Sequence, residues 1–98
     1  MNPYFVASII REGVLGGGIS TDEEKMTYHT NKLTVSPELK RIEMRYADIS
    51  EISFQRRFLF PVFSIRLKDN REYRFIVFGS KRFRSFLKER VKTAAMDV

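Results

Sequence analysis

The sequence predicts a mainly β fold, with about seven antiparallel strands followed by one C-terminal α-helix. Three observations support this prediction. Apolar and polar residues alternate through most of the chain, short turn-forming stretches separate the alternating segments, and only the last segment changes to helical spacing. Strands joined by such short turns must be antiparallel neighbours. The 98 residues are enough for one domain, residues 1–98, around a single core.

The clearest alternation lies in RIEMRY, where Ile42, Met44 and Tyr46 alternate with charged residues. The same period recurs in five further segments, at residues 25–30, 32–36, 50–54, 61–68 and 72–78. Because successive side chains of a strand point to opposite faces, each apolar set is predicted to face the core. The stretches between the segments carry Asn, Asp or Pro, which favour turns.

The N-terminal segment FVASIIREGVLGGGIS allows two interpretations: one long bent strand, or a short helix followed by a strand from Glu12 to Leu15. We favour the strand. The glycine run at residues 16–18 is not followed by Gly-Lys-Ser/Thr, and it lacks the dinucleotide-binding spacing. A flexible turn or a bulge is therefore a better interpretation of these glycines than a phosphate-binding loop.

The C-terminal segment has the spacing of an amphipathic helix, predicted over residues 80–92 with a short tail at 93–98. Its apolar stripe consists of Phe83, Phe86, Leu87 and Val91. Ser80 is suited to be the N-cap, because its hydroxyl can accept a hydrogen bond from an amide of the first turn. Gly79 frees the chain to turn out of the last strand. We expect the helix to close an open end of the curled sheet.

Composition limits the location and the partners of the chain. The 18 basic and 12 acidic residues give a formal charge of +6, and a basic surface attracts the phosphates of lipids or nucleic acids. The absence of cysteine removes disulfides and thiolate metal sites, which fits a cytoplasmic protein. We see no signal peptide and no apolar run near the roughly 20 residues that span a bilayer, which leaves peripheral membrane association open.

The residues that usually carry catalysis or bind metals are few and poorly spaced. His29 is the sole histidine, so neither a nucleophilic triad nor a zinc site can be assembled from recognisable motifs. The acidic run at residues 22–24 lacks the alternate spacing of a calcium loop and reads as a solvated loop. Asp48, which could pair with Glu51, lies in a turn where it is expected to cap its own backbone. We predict no enzyme, no cofactor and no metal.

Four stretches, KMTYHTNKLTVS, IEMRYADISEIS, SIRLKDNREYRFIVF and FRSFLKERV, carry a family resemblance. They resemble, in this order, the second and third strands, a basic strand with its following turn, the last hairpin and the capping helix of the pleckstrin-homology (PH) superfold, and within it of the GRAM and bacterial PH-like families. The resemblance extends from about Glu12 to Val91 and implies a PH-like barrel capped by the helix.

Two features differ from that family pattern. The terminal helix has no tryptophan, and Phe83 or Phe86 is expected to take over its packing role. The first hairpin of eukaryotic PH domains carries basic residues that grip inositol phosphates, whereas this chain reads GGGISTDEEKM there, which is acidic.

The segment from Arg56 to Pro61 is predicted to be the turn between two strands. It would form a hairpin tip that carries Phe58, Leu59 and Phe60 behind Arg56 and Arg57. Three interpretations compete. The terminal helix or the N-terminal segment folds over the tip, the tip docks on a protein partner or a second copy, or it inserts into an anionic membrane.

Strand parity also predicts a basic outer face. Its candidate residues are Arg45, Arg66, Arg74 and Arg82. The alternative is a solvated face whose charges are balanced by nearby carboxylates. Ile76 and Phe78, on the outward parity of the last strand, remain unexplained unless the helix or a second subunit covers them.

These observations favour a non-catalytic PH/GRAM-like interaction module. Its partner would be a protein, including a second copy of the chain, or an anionic membrane surface. The alternative is a small basic β-barrel that binds single-stranded nucleic acid by stacking bases on exposed aromatics. That function needs aromatics on the outward parity of central strands, whereas Tyr73 and Phe75 share the inward set, so we rank it lower.

Overall fold

Seven strands form one antiparallel sheet in the computed structural model, which describes residues 2–11, 13–31 and 37–96. The strands are β1 (Phe5–Arg11), β2 (Gly13–Thr21), β3 (Lys25–His29), β4 (Arg41–Arg45), β5 (Ile49–Arg57), β6 (Phe60–Leu67) and β7 (Glu72–Val77). The helices are α1 (Pro37–Lys40) and α2 (Ser80–Met96), and a 3-10 turn at Tyr46–Asp48 joins β4 to β5. The strand order is β4-β3-β2-β1-β7-β6-β5. The predicted mainly β fold with a C-terminal helix is confirmed.

The described residues of the N-terminal segment are strand rather than helix, but the interpretation as one long bent strand is wrong, because β1 and β2 are two strands paired as a hairpin. β1 and β2 are paired from Phe5↔Ile19 to Arg11↔Gly13. The strand predicted at residues 32–36 lies outside the described residues. β3 and β4 are paired in full register, as the alternation in KMTYHT and RIEMRY indicates.

The interpretation of Gly16–Gly18 as a turn or a bulge is wrong, because these glycines pair regularly with Ser8, Ala7 and Val6 of β1. Packing explains why two of them carry no side chain. A methyl group on Gly17 would overlap the carbonyl oxygen of His29, and one on Gly18 would overlap the ring of Tyr4. Glycine in a strand often marks such a close approach.

The core lies between the concave face of the sheet and helix α2. Phe83 is fully buried and meets the rings of Phe5 and Phe63 edge to face, at centroid distances of 4.9 and 5.0 Å. Phe86 is half-buried and packs against Phe5 and Tyr46. Both phenylalanines thus anchor α2 on the core, and the fully buried Phe83 stabilises the fold by an amount on the order of 2 kcal/mol.

The ends of α2 differ from the prediction in two ways. The helix continues to Met96, so the tail predicted at 93–98 is helical over its first four residues, where Ala94 packs against the core. At the start, the N–H of Phe83 donates to the carbonyl of Gly79 at 2.9 Å, which makes Gly79 the N-cap and places Ser80 inside the first turn. No helix among the described residues has the length and apolarity to span a bilayer.

Candidate docking surface

The β5–β6 hairpin ends in a two-residue turn formed by Phe58 and Leu59. The predicted turn from Arg56 to Pro61 is therefore too long, because Arg56 pairs with Pro61 and Arg57 with Phe60 in the ladder. Phe58 has a φ of 55°, in the left-handed region that glycine or asparagine usually fills in two-residue hairpin turns. For a residue with a Cβ this conformation costs about 1–2 kcal/mol.

The tip is exposed. Phe58 is 95% and Leu59 85% accessible, and no described part of the chain covers them. The interpretation that the terminal helix or the N-terminal segment folds over the tip is thus wrong for the residues that the structure describes. Phe60 is 52% accessible, and Arg56 and Arg57 are exposed beside it. The strain at Phe58 therefore has no compensating contact with any described part of the chain.

The exposed large apolar side chains are concentrated at one end of the sheet. Seven are described, and six of them share this end, which we call the apolar end. It consists of Tyr4, Val6, Phe58, Leu59, Phe60 and Phe78. The seventh, Val14, pairs with Ile10 near the opposite end of β1.

Strand register explains how the apolar end is assembled. Val62 of β6 faces Ile76 of β7, so Phe60 and Phe78 stand two residues further on, side by side on the outer face. The N–H of Phe78 donates to the carbonyl of Val6 at 3.0 Å, which brings β1 into the same surface. Ile76 is itself buried, so it needs no second subunit to cover it, whereas Phe78 is 59% accessible.

Five cations lie on the two segments next to the apolar end, the end of β5 and the start of α2. They are Arg56, Arg57, Lys81, Arg82 and Arg84, and none of them forms an ion pair within the described part of the chain. Arg82 lies over the ring of Phe5 at 4.9 Å and donates to the carbonyl of Tyr4 at 3.3 Å. Arg84 lies over the ring of Phe54 at 5.1 Å. Aromatic rings rather than carboxylates therefore hold these two guanidinium groups, and their charge is not neutralised.

The predicted basic face is only partly brought together. Arg66 and Arg74 lie on the outer face of neighbouring strands, as predicted, because Arg66 pairs with Glu72 and Arg74 with Ser64. The guanidinium of Arg66 contacts Glu51 at 3.3 Å and Glu72 at 3.2 Å, so its charge is balanced.

The other two candidates of this face lie elsewhere. Arg45 is on β4, which is separated from β7 by three strands in the sheet, and it pairs with Lys25. Arg82 belongs to the apolar end through its contact with Tyr4.

The acidic run at residues 22–24 is a structural turn. The carboxylate of Asp22 accepts hydrogen bonds from the N–H groups of Glu24 and Lys25, which lower its pKa. The buried hydroxyl of Tyr46 donates to the carbonyl of Asp22, and burial raises the pKa of Tyr46 to about 12. Arg90 of α2 contacts the same turn. No group of three acidic or histidine side chains suited to a metal occurs among the described residues.

Comparison with known proteins shows a similarity of fold. No family model and no curated protein sequence matches this chain. Among solved structures, the C-terminal domain of an unknown protein from Leishmania infantum is similar, with a TM-score of 0.74 and 11% identity over 91% of this chain and 81% of that one. At this identity the similarity shows a shared fold alone.

Proposed function

We propose that this protein is a non-catalytic PH/GRAM-like interaction module that docks on an anionic membrane surface through the Arg56–Pro61 hairpin tip. The exposure of Phe58 and Leu59 beside two cations without carboxylate partners carries this proposal. The resemblance of four sequence stretches to that family supports the class. The protein would be cytoplasmic and peripheral at the membrane.

The energetics fit a reversible association. Each apolar side chain that enters the interface contributes on the order of 2 kcal/mol, and each cation near an anionic leaflet about 1 kcal/mol. Phe58 and Leu59 would lie among the acyl chains, with Arg56 and Arg57 at the lipid phosphates. Since the contributions of Arg56 and Arg57 to the binding free energy are electrostatic, binding should weaken as salt is added.

Docking on a protein, including a second copy, is the second candidate. Aromatics and arginine are enriched at protein interfaces, and Phe60 and Phe78 are both exposed at the same end of the sheet. In a two-fold symmetric dimer around the tip, however, Arg56 and Arg57 of both copies would meet with no carboxylate among them. Nucleic-acid binding is ranked third, since Phe75 is buried and unable to stack on a base, and the exposed aromatics Phe60 and Phe78 stand at one end of the sheet rather than along its central strands.

Co-sedimentation with vesicles tests the proposal. Wild type, a Phe58→Ser, Leu59→Ser double variant and a Val14→Ser control are mixed with phosphatidylcholine vesicles, with and without phosphatidylserine, at low and physiological salt. Wild type and the control should pellet only with anionic vesicles, more strongly at low salt, and the double variant should stay in solution.

Two outcomes would contradict membrane docking through the tip. They are equal binding of the double variant, or no binding of wild type at low salt. Light scattering on the same samples would then identify the second candidate, if wild type is a dimer and the double variant a monomer.

A further inference from the structure

We infer that the membrane contact extends from the tip across the apolar end to the junction of β7 and α2. There Phe78 and Val6 would form a second apolar anchor, and Lys81 and Arg82 a second group of cations. This inference rests on the proposed function, because it specifies which further residues of the same end meet the anionic bilayer.

Phe78 and Val6 are proposed as the second apolar anchor because they are exposed neighbours that continue the surface of the tip. Phe78 and Val6 are 59% and 54% accessible and are joined by a backbone hydrogen bond. Phe60 lies beside Phe78 by register and leads directly to the tip. Scattered exposed apolar residues are ordinary on protein surfaces, but Phe60, Phe78 and Val6 lie on or directly after three neighbouring strands next to the tip, and such a concentration marks an interaction site. Val62 and Ile76, both buried, support this patch from within the same face.

Lys81 and Arg82 are proposed as the second group of cations because they follow Phe78 closely in the chain. Gly79 has a φ of 76° and turns the chain into α2, so Lys81 and Arg82 follow Phe78 within four residues. Arg82 uses one N–H on the carbonyl of Tyr4 and keeps other donors available. An apolar patch beside cations that form no ion pair among the described residues matches the acyl chains and phosphates of an anionic leaflet. A second copy would present the same cations.

Two contacts would fix the orientation of the domain. A tip alone lets the molecule pivot, whereas contacts at the β5–β6 turn and at the β7–α2 junction hold the end of the sheet in the interface. The opposite end, with Val14 and the paired residues Arg11 and Gly13, would then face away from the bilayer.

The absence of tryptophan from the chain allows a direct test. Single variants Phe58→Trp, Phe78→Trp and Val14→Trp are mixed with phosphatidylserine vesicles that contain brominated phosphatidylcholine, and quenching of the indole fluorescence is measured. We expect quenching and a blue shift for Phe58→Trp and Phe78→Trp, and neither for Val14→Trp.

The other outcomes separate this inference from the proposed function. Quenching at position 58 without quenching at 78 would overturn the second anchor while leaving docking through the tip intact. Quenching at neither position would overturn both. Quenching at all three positions would indicate adsorption without orientation, and would overturn the inference. A blue shift of the indole at 78 without vesicles, together with a doubled mass, would assign the patch to a second copy instead.

A matched pair of lysine variants tests the second group of cations. Lys81 and Lys92 are both exposed on α2, but only Lys81 lies at the apolar end. Lys81→Gln should weaken binding to phosphatidylserine vesicles about fivefold, and Lys92→Gln by less than about twofold. Equal affinities of the two variants would overturn the role of Lys81.

Discussion

Phe83 of α2 meets Phe63 of β6 edge to face, with ring centroids 5.0 Å apart and both side chains fully buried. This contact joins α2 to β6, in the part of the sheet that β5, β6 and β7 form. Truncation by Phe83→Ala should lower the free energy of unfolding by about 3–5 kcal/mol, through lost burial and the cavity left behind. Denaturant titration measures it, and Phe78→Ala, at an exposed site, should cost less than about 1 kcal/mol. Similar losses for both variants would contradict the buried position of Phe83.

The glycine run should tolerate substitution unequally. A methyl group on Gly17 meets the carbonyl of His29, and backbone must shift to accommodate it, whereas one on Gly16 has only Ser8 in ordinary contact. Gly17→Ala should therefore destabilise the protein by about 2 kcal/mol, and Gly16→Ala by almost nothing. Thermal unfolding of the two variants compares them. A neutral Gly17→Ala would mean that β2 and β3 are not this close.

Replacing the strained residue Phe58 by glycine should change the stability of the protein and its vesicle binding in opposite directions. Phe58→Gly should raise the free energy of unfolding by up to about 1 kcal/mol, because the left-handed conformation is then free of the Cβ clash. The same change should weaken vesicle binding. Leu59→Gly is the control, since Leu59 has no positive φ and gains nothing from glycine. A Phe58→Gly variant no more stable than wild type would argue against strain at this turn.

Tyr46 makes the fold sensitive to alkali. Its pKa is raised to about 12 from the ordinary value of 10.0, chiefly by burial, so the folded state favours the neutral phenol. This stabilisation is complete below pH 10 and is lost as pH rises toward 12. Tyr46→Phe should be less stable at pH 7, through the lost hydrogen bond to Asp22, but should lose less stability between pH 10 and 12. Parallel pH profiles of the two proteins would contradict this assignment.

Alternation in the sequence was sufficient to predict the strands that have one buried face and one exposed face. In β4, Ile42 and Met44 are buried between exposed charged residues, so the pattern and the structure coincide. The glycines of β2 could not be predicted, because the groups that exclude a side chain there belong to Tyr4 and His29, which are distant in sequence. Local patterns carry no information on such approaches.

The candidate surface was predictable only in part. The apolar tip with its two arginines is visible in RRFLF, because it exceeds what the two strands can bury. The exposure of the tip could not be predicted from the sequence, because it depends on where α2 packs. The addition of Val6 and Phe78 depends on the pairing of β1 with β7, which joins residues about 70 positions apart in the chain. Register between strands so distant leaves no local signal.

The strand order also has a kinetic consequence. β1–β4 and β5–β7 are two groups of strands that are hydrogen-bonded to each other only where β1 meets β7, over Ala7–Ile10 and Arg74–Val77 in the described sheet. The pairing of β1 with β7 closes a loop of more than 60 residues, and closing it costs entropy before the pairing contributes any stabilisation. Each group should therefore form early, and their union should limit the rate of folding, at roughly milliseconds to seconds as for other folds of high contact order.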